Sequence, residues 1–413
     1  MKEKRNIRNV ILGTCMLILL SSAVEKVCFS SDNNKLYTVN FDGLEVKSDF
    51  CYSEMFNSVS IIQLDNSQVL IGEIDKMEVY KGQFIVLDGR HAKGIFVFDK
   101  KGSLLRKIGS AGLGPKEYTD CTDFAIDSRR GIIYVYDCSR MNIHVYNIDT
   151  GNCLRTIELD KGARINRIWC NNGILYAVNT FSSLRKVEGE SYILRQLDVN
   201  SGREIKKWMD VDRYNKGWRG VFASSPLFYH VKGGKDLFAF GFSDTIMCIN
   251  HGNVAPYMAF SGKKVIKPND ISKEEKAEAF LPPKRMEMHH RLGHKMDKIT
   301  GVLNMFEYDG SLFFSYTTWP MYIGVCNMST GETSAYRNFK DDVLYSKQLL
   351  QRALPSFLVS DAGGVYYCMS TDYLLELKSH LKEGFISGKV KNREVLGGLD
   401  EDSNPVILYY EFK

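Results

Sequence analysis

The chain has 413 residues, of which 44% are hydrophobic and 25% charged, a balance that excludes a disordered polymer. Its formal net charge is +5, and the first 23 residues hold +3 of it through Lys2, Lys4, Arg5 and Arg8 against Glu3, leaving +2 for the remainder. So even a balance excludes the strongly basic surface that nucleic acid or an anionic membrane requires.

In chain order the first element is a targeting segment. A basic stretch through Arg8 leads into the apolar run Val10–Leu20, and Ser21-Ser-Ala23 supplies the small residues of a cleavage site. The run is short for a membrane span, so residues 1–23 read as a signal peptide for export to the periplasm or cell envelope. The alternatives are an uncleaved anchor and a lipid anchor on Cys15, and no other membrane contact is expected. Residues 24–56 form a lead-in. Nine cysteines follow the cleavage site, an odd number with no Cys-x-x-Cys spacing, which excludes a zinc ribbon or a thioredoxin-type motif. Cys121 and Cys138 are the pair the sequence offers for a disulfide.

From residue 57 onward a pair of turns recurs. The first turn of each unit ends at Gly82, Gly131, Gly173, Gly234, Gly310 and Gly364, where a tight hairpin needs positive φ. The second falls at Gly102, Gly151, Gly202, Gly252, Gly331 and Gly384, at separations of 20, 20, 29, 18, 21 and 20 residues. Apolar runs such as Phe84–Asp88 and Ile132–Asp137 follow the first turns. Runs such as Ile95–Asp99, Ile143–Asn147 and Tyr373–Leu377 precede the second, most of them ending in Asp or Asn. Each unit is a meander of four strands, and six of them predict an all-β, six-bladed β-propeller over 57–413. Two stacked β-sandwiches are the competing arrangement. Pairing of Ser60–Gln63 or Val406–Tyr410 with the last blade would close the ring.

Between the first and second units lies Ile108-Gly-Ser-Ala-Gly-Leu-Gly-Pro-Lys-Glu-Tyr118, which has the glycines and lysine of a phosphate-binding loop. Pro115 removes an N–H donor and the strand-like Asp123–Asp127 follows where a helix would have to start, so the nucleotide reading fails. The stretch is a blade-crossing loop. Together with Ile95–Leu105, Asp123–Asp127, Ile133–Asp137 and the closing Asp402–Leu408, it resembles the six-bladed β-propeller family of exported Gram-negative bacterial proteins, related to NHL-repeat propellers. The resemblance covers residues 57–413, strongest in the first two blades and weakest over 203–300. It implies the fold and an envelope location, and brings no catalytic residues with it.

The separation between Gly252 and Gly331 is 79 residues where the earlier ones are 49, 51 and 50, so an insertion is expected between blades four and five. It falls over 263–300, begins at a capping box, Ser272-Lys-Glu-Glu275, reads as helical, and as a crossing segment would act as a lid. It carries His289, His290 and His294; without a zincin glutamate these read as a basic solvated helix. No Gly-x-Ser-x-Gly elbow is present.

Ligands of propellers enter at the face where crossing loops and the loops between strands 2 and 3 gather. The candidates there are Asp88, Arg90, His91, Lys116, Tyr118, Asp137, Arg140, Trp319 and Asp372, with Glu117, Asn179 and Asp244 at similar points. This mixed, aromatic rim suits a glycan, a peptide or a partner protein, so the reading is a non-catalytic exported binding scaffold with no cofactor. A blander role for Asp88 and Asp137 is to cap turns, with the arginines paired to them. The alternative function is a metal-dependent lactonase- or lyase-like enzyme, using Asp88, His91, Asp137, Asp244 and Asp372 around a channel ion.

Overall fold

The structure, a computed structural model, describes residues 35–160, 165–178, 192–214, 227–278, 282–316, 318, 321–347, 357–369 and 371–413. The expected leader, with the cleavage or lipidation site expected in it, lies outside these residues. The apolar runs form strands in the expected order. β1 (Tyr37–Asn40), β2 (Glu45–Cys51) and β3 (Phe56–Gln63) come first. Blade one is β4–β7 (Lys76–Tyr80, Gln83–Asp88, Gly94–Phe98, Leu104–Ile108) and blade two is β8–β11 (Cys121–Asp127, Ile132–Asp137, Asn142–Asn147, Cys153–Glu158). Blade three is β12–β15 (Arg167–Asn171, Ile174–Val178, Tyr192–Leu197, Glu204–Asp210) and blade four is β16–β19 (Phe228–Val231, Lys235–Phe238, Thr245–Asn250, Asn253–Ser261). Blade five is β20–β23 (Val302–Tyr308, Ser311–Tyr316, Tyr322–Asn327, Thr333–Lys340). The last strands are β24 (Phe357–Ser360), β25 (Gly364–Met369), β26 (Val390–Lys391) and β27 (Val406–Phe412).

Blades one to five are antiparallel meanders in strand order, as the turn glycines require. The Asp and Asn that end the third strands close the second turns. Asp99 accepts hydrogen bonds from the N–H groups of Lys101 (2.8 Å) and Ser103 (2.9 Å), and Asn327 accepts from those of Ser329 (2.9 Å) and Thr330 (3.0 Å). Gly102 sits in such a turn with φ of 89°, and a Cβ there would lie 2.0 Å from the Gln63 carbonyl oxygen, so no other residue fits.

Blade six departs from the pattern. Its order is β24-β25-β27-β3-β26, so the C-terminal strand takes the third position and the N-terminal β3 the fourth. Both expected closing segments are therefore used, paired through Ile407 opposite Ile62 and Leu408 opposite Ile61. The expected third strand Tyr373–Leu377 is instead part of a helix, Thr371–Lys382. Gly384 follows the end of that helix at φ of 74° with its N–H on the Leu381 carbonyl, so the sixth 20-residue spacing has a different physical origin from the first five. The lead-in also joins the sheets. β1 pairs parallel with β19 (Tyr37 opposite Met258) and β2 parallel with β23 (Glu45 opposite Ser334), covering the outer edges of blades four and five.

Six apolar cores lie between successive sheets and close the ring. Leu87 and Val97 of blade one pack with Phe124 and Val135 of blade two, and the series ends with Tyr366 and Ile407 of blade six against Phe84 and Val86 of blade one. Strands buried on both faces follow from this arrangement, since each sheet is covered by two neighbours. Cys121 and Cys138 are both free thiols, and the Cys138 thiol donates to Asp120 Oδ2 at 3.0 Å.

Between β19 and β20 the chain carries two short helices, Lys273–Glu278 and Pro282–His290. The first opens with reciprocal bonds between Ser272 and Glu275, at 2.9 Å and 3.1 Å. Phe242, Ile266, Ile271, Met288 and Leu292 form its small core. Among the described residues no helix is long and apolar enough to cross a membrane.

Candidate functional site

The innermost strands β4, β8, β12, β16, β20 and β24 line a central channel. They enclose a cavity of about 260 Å³ to which all six blades contribute, blades one to four from the starts of these strands and blades five and six through Met305, Phe306, Val359 and Ser360. A second cavity of about 230 Å³ opens among the hairpin turns of the other face. Glu78, Trp169 and His230 border both and form the waist between them.

The waist is held by charge. His230 Nδ1 lies 2.6 Å from Asp236 Oδ1 and its Nε2 3.4 Å from Glu78 Oε2. Loss of bulk water would drive the proton off this imidazole, but the two carboxylates overturn that and push its pKa up to about 10. Asp236 also accepts from Trp169 Nε1 (2.7 Å) and Asn171 Nδ2 (2.8 Å), so blades one, three and four meet on one carboxylate and one imidazolium. Trp169 is enclosed as well: Phe228 stacks on it at 5.0 Å and the Lys76 ammonium stands 5.1 Å from its ring centre. Lys76 donates to Asp123 Oδ1 (3.0 Å) and to the Phe124 carbonyl (2.6 Å).

The rim residues expected from the sequence occupy other places. Asp88 is fully buried and accepts from the N–H groups of Gly72 (2.8 Å), Arg90 (3.1 Å) and His91 (2.8 Å). Burial alone would raise its pKa; those backbone donors outweigh it and hold the carboxyl below its ordinary value. Asp137, also fully buried, accepts from the N–H groups of Thr119 (2.6 Å), Asp120 (3.3 Å), Ser139 (3.1 Å) and Arg140 (3.2 Å). Both aspartates therefore tie the segment entering a blade to that blade's turn between strands 2 and 3. Tyr118 is 1% exposed and faces the core between blades one and two, its hydroxyl donating to the Ile108 carbonyl at 3.1 Å. Among the candidates whose side chains are described, Arg90 alone lines the cavity, at 3.3 Å from Glu73 Oε2. His91 is exposed beside Asp88, and Lys116 is exposed with its carbonyl accepting from Tyr146. Asp244 accepts from its neighbour Thr245. Trp319 and Asn179 lie outside the described residues, as does the side chain of Asp372, whose backbone belongs to the helix Thr371–Lys382.

The glycine-rich loop 109–118 encloses a cation. Arg140 donates from Nη1 to the carbonyls of Gly114 (3.0 Å) and Glu117 (3.3 Å) and from Nη2 to that of Gly112 (3.5 Å). Carbonyls turned inward are the reverse of a phosphate cradle, which presents N–H groups. Among its described residues the 263–300 segment contributes no lining residue to the cavity. Its His290 and His294 rings stack at 4.3 Å, and His289 packs on Phe242 at 5.0 Å. Among the described residues no group of three His, Cys, Asp or Glu side chains is placed to hold a metal ion.

The cavity-lining charges missed from the sequence are those at the starts of the inner strands. In blades one to three their signal was the position itself, one residue before or at the first strand, as for Asp75, Lys76, Asp120 and Arg167. His230 and Asp236 had a signal too, as cross-strand partners flanking the Gly233-Gly234 hairpin.

A ring of six sheets around one channel cavity defines a six-bladed β-propeller. The chain belongs to the DUF4934 family, a domain of unknown function whose model matches residues 36–411. Its fold is similar to that of an inferred exported protein from Bacteroides fragilis NCTC 9343, at 18% identity and a TM-score of 0.67, covering 92% of this chain and 100% of that one. A member of the DUF4221 family from Bacteroides vulgatus ATCC 8482 is more distant, at 10% identity and a TM-score of 0.48, covering 86% and 98%. No curated protein matches the chain.

Proposed function

We infer that this protein is an exported binding scaffold that receives its ligand in the cavity at the crossing-loop mouth. The observation that carries the reading is that all six blades contribute to one open, mixed polar and apolar cavity. Its wall favours a peptide or protein loop over a glycan. Sugars stack on free aromatic faces, whereas Trp169 is covered by Phe228 and by Lys76. Export is supported by the B. fragilis relative and by the basic and apolar start of the chain.

Arrays of short peptides and of glycans, with hits followed by hydrogen exchange on the full chain, test this. A ligand is expected to protect the amides around Asp120–Asp123, Arg167–Trp169 and Phe228–His230. Protection confined to the hairpin turns of the opposite face, or to the outer strands, would overturn the reading.

A further inference from the structure

The charges around the mouth cavity are unevenly neutralised. Lys76 is paired with Asp123, His230 with Asp236 and Glu78, and Arg90 with Glu73. Two groups in the same lining are left over. Arg167, the first residue of β12, donates only to the adjacent Asn166 carbonyl, at 3.0 Å. Asp120, the residue before β8, accepts at Oδ2 from the Cys138 thiol (3.0 Å) and the Ser139 hydroxyl (3.4 Å), neither of which carries positive charge. Among the described residues neither Arg167 nor Asp120 has an ion-pair partner, and the two are not paired with each other although β8 and β12 are neighbouring inner strands. A half-buried guanidinium and a half-buried carboxylate facing one confined space favour a ligand that brings the complementary charges. The same lining has an apolar part, Leu227, Phe228, Met305 and Phe306.

We propose that the cavity binds a small zwitterion with an apolar side chain, a free amino acid or a very short peptide, its carboxylate on Arg167, its ammonium on Asp120 and its side chain against Phe228 and Phe306. This deepens the scaffold reading and rests on it. It also fits the size of the space, since about 260 Å³ holds a few residues and no folded partner.

The test is calorimetric titration of the full chain with leucine, phenylalanine and Leu-Leu, alongside their N-acetyl and C-amide forms. Free forms are expected to bind, and blocking either end is expected to weaken binding about tenfold or more. Arg167→Gln is expected to erase the difference between acid and amide forms while keeping that between amine and N-acetyl forms. Asp120→Asn is expected to do the reverse. This crossed pattern is a change of selectivity, which general loss of fold does not produce. Equal affinity for free and blocked forms, or no binding of the free forms at millimolar concentration, overturns the proposal. If a fully capped peptide or a neutral glycan still protects the mouth in hydrogen exchange, the scaffold reading stands and only the ligand class fails.

Discussion

Two histidines in two regions of the molecule differ in charge, one protonated and one neutral, although burial acts on both in the same direction. At the channel waist His230 borders water, with 46% of its side chain exposed, yet Asp236 and Glu78 hold it protonated up to about pH 10. In the helical segment His289 packs on Phe242 with Arg285 nearby, and burial drives its pKa down to about 4. Removal from water pushes both downward. At His230 the two carboxylates reverse that push, so the charge state follows from partners across the fold and not from depth alone.

The largest way to break this comparison is Asp236→Ala. It strips the waist of its central acceptor, leaving the Trp169 and Asn171 donors unmatched and His230 with Glu78 alone. The expected loss is about 3 kcal/mol of stability, read by urea denaturation. A loss within error would mean that the carboxylate is not what organises the waist.

The acid side comes next. His289 is held neutral, so its contribution is full above its unfolded pKa of 6.5 and is lost as pH falls from there toward about 4. His289→Phe is expected to be more resistant than the parent at pH 4.5, relative to pH 7, by about 1 kcal/mol after allowance for partial exposure. Asp341 gives the same logic for an acid. Half-buried, it is pushed up to about 6 by loss of water, although Tyr410 donates to it. Its contribution is present below the unfolded pKa of 3.8 and is lost as pH rises through about 6, opposing His289 over the same range. Tyr410→Phe is expected to cost about 1 kcal/mol at pH 7. The smallest effect is alkaline. His230 stabilises fully below pH 6.5 and loses this as pH rises toward 10, a decline that His230→Gln is expected to flatten, weakly because the ring faces the channel.

A different contrast concerns what the sequence reveals. Blades one and two were legible because their turns are local: Lys81-Gly82 and Asp99 through Gly102 carry the whole hairpin geometry within a few residues. Blade six was not, because its third and fourth strands come from the two ends of the chain. Leu374, Leu377 and Leu381 there follow helical spacing, and Leu377 is buried as a helix residue. The lead-in was missed for a similar reason, since β1 and β2 find their partners more than 200 residues away. For the candidate site, the cavity lies on the face expected from the sequence, while most of the described rim residues lie outside its lining. Asp88 and Asp137 look available in a loop, but their carboxylates are consumed by backbone N–H groups of their own following turns and of the crossing segment. Asp120 and Arg167 look ordinary until six strands bring them to one cavity.

The central claim is that this six-bladed cavity is where a ligand binds, and one substitution tests it directly. Val359 lines the cavity from blade six, and Val359→Trp would fill it from a strand that makes none of the polar contacts described. Calorimetry with a ligand of the parent protein is predicted to show binding abolished in this variant with its melting transition retained. Undiminished affinity in the plugged channel would contradict the account.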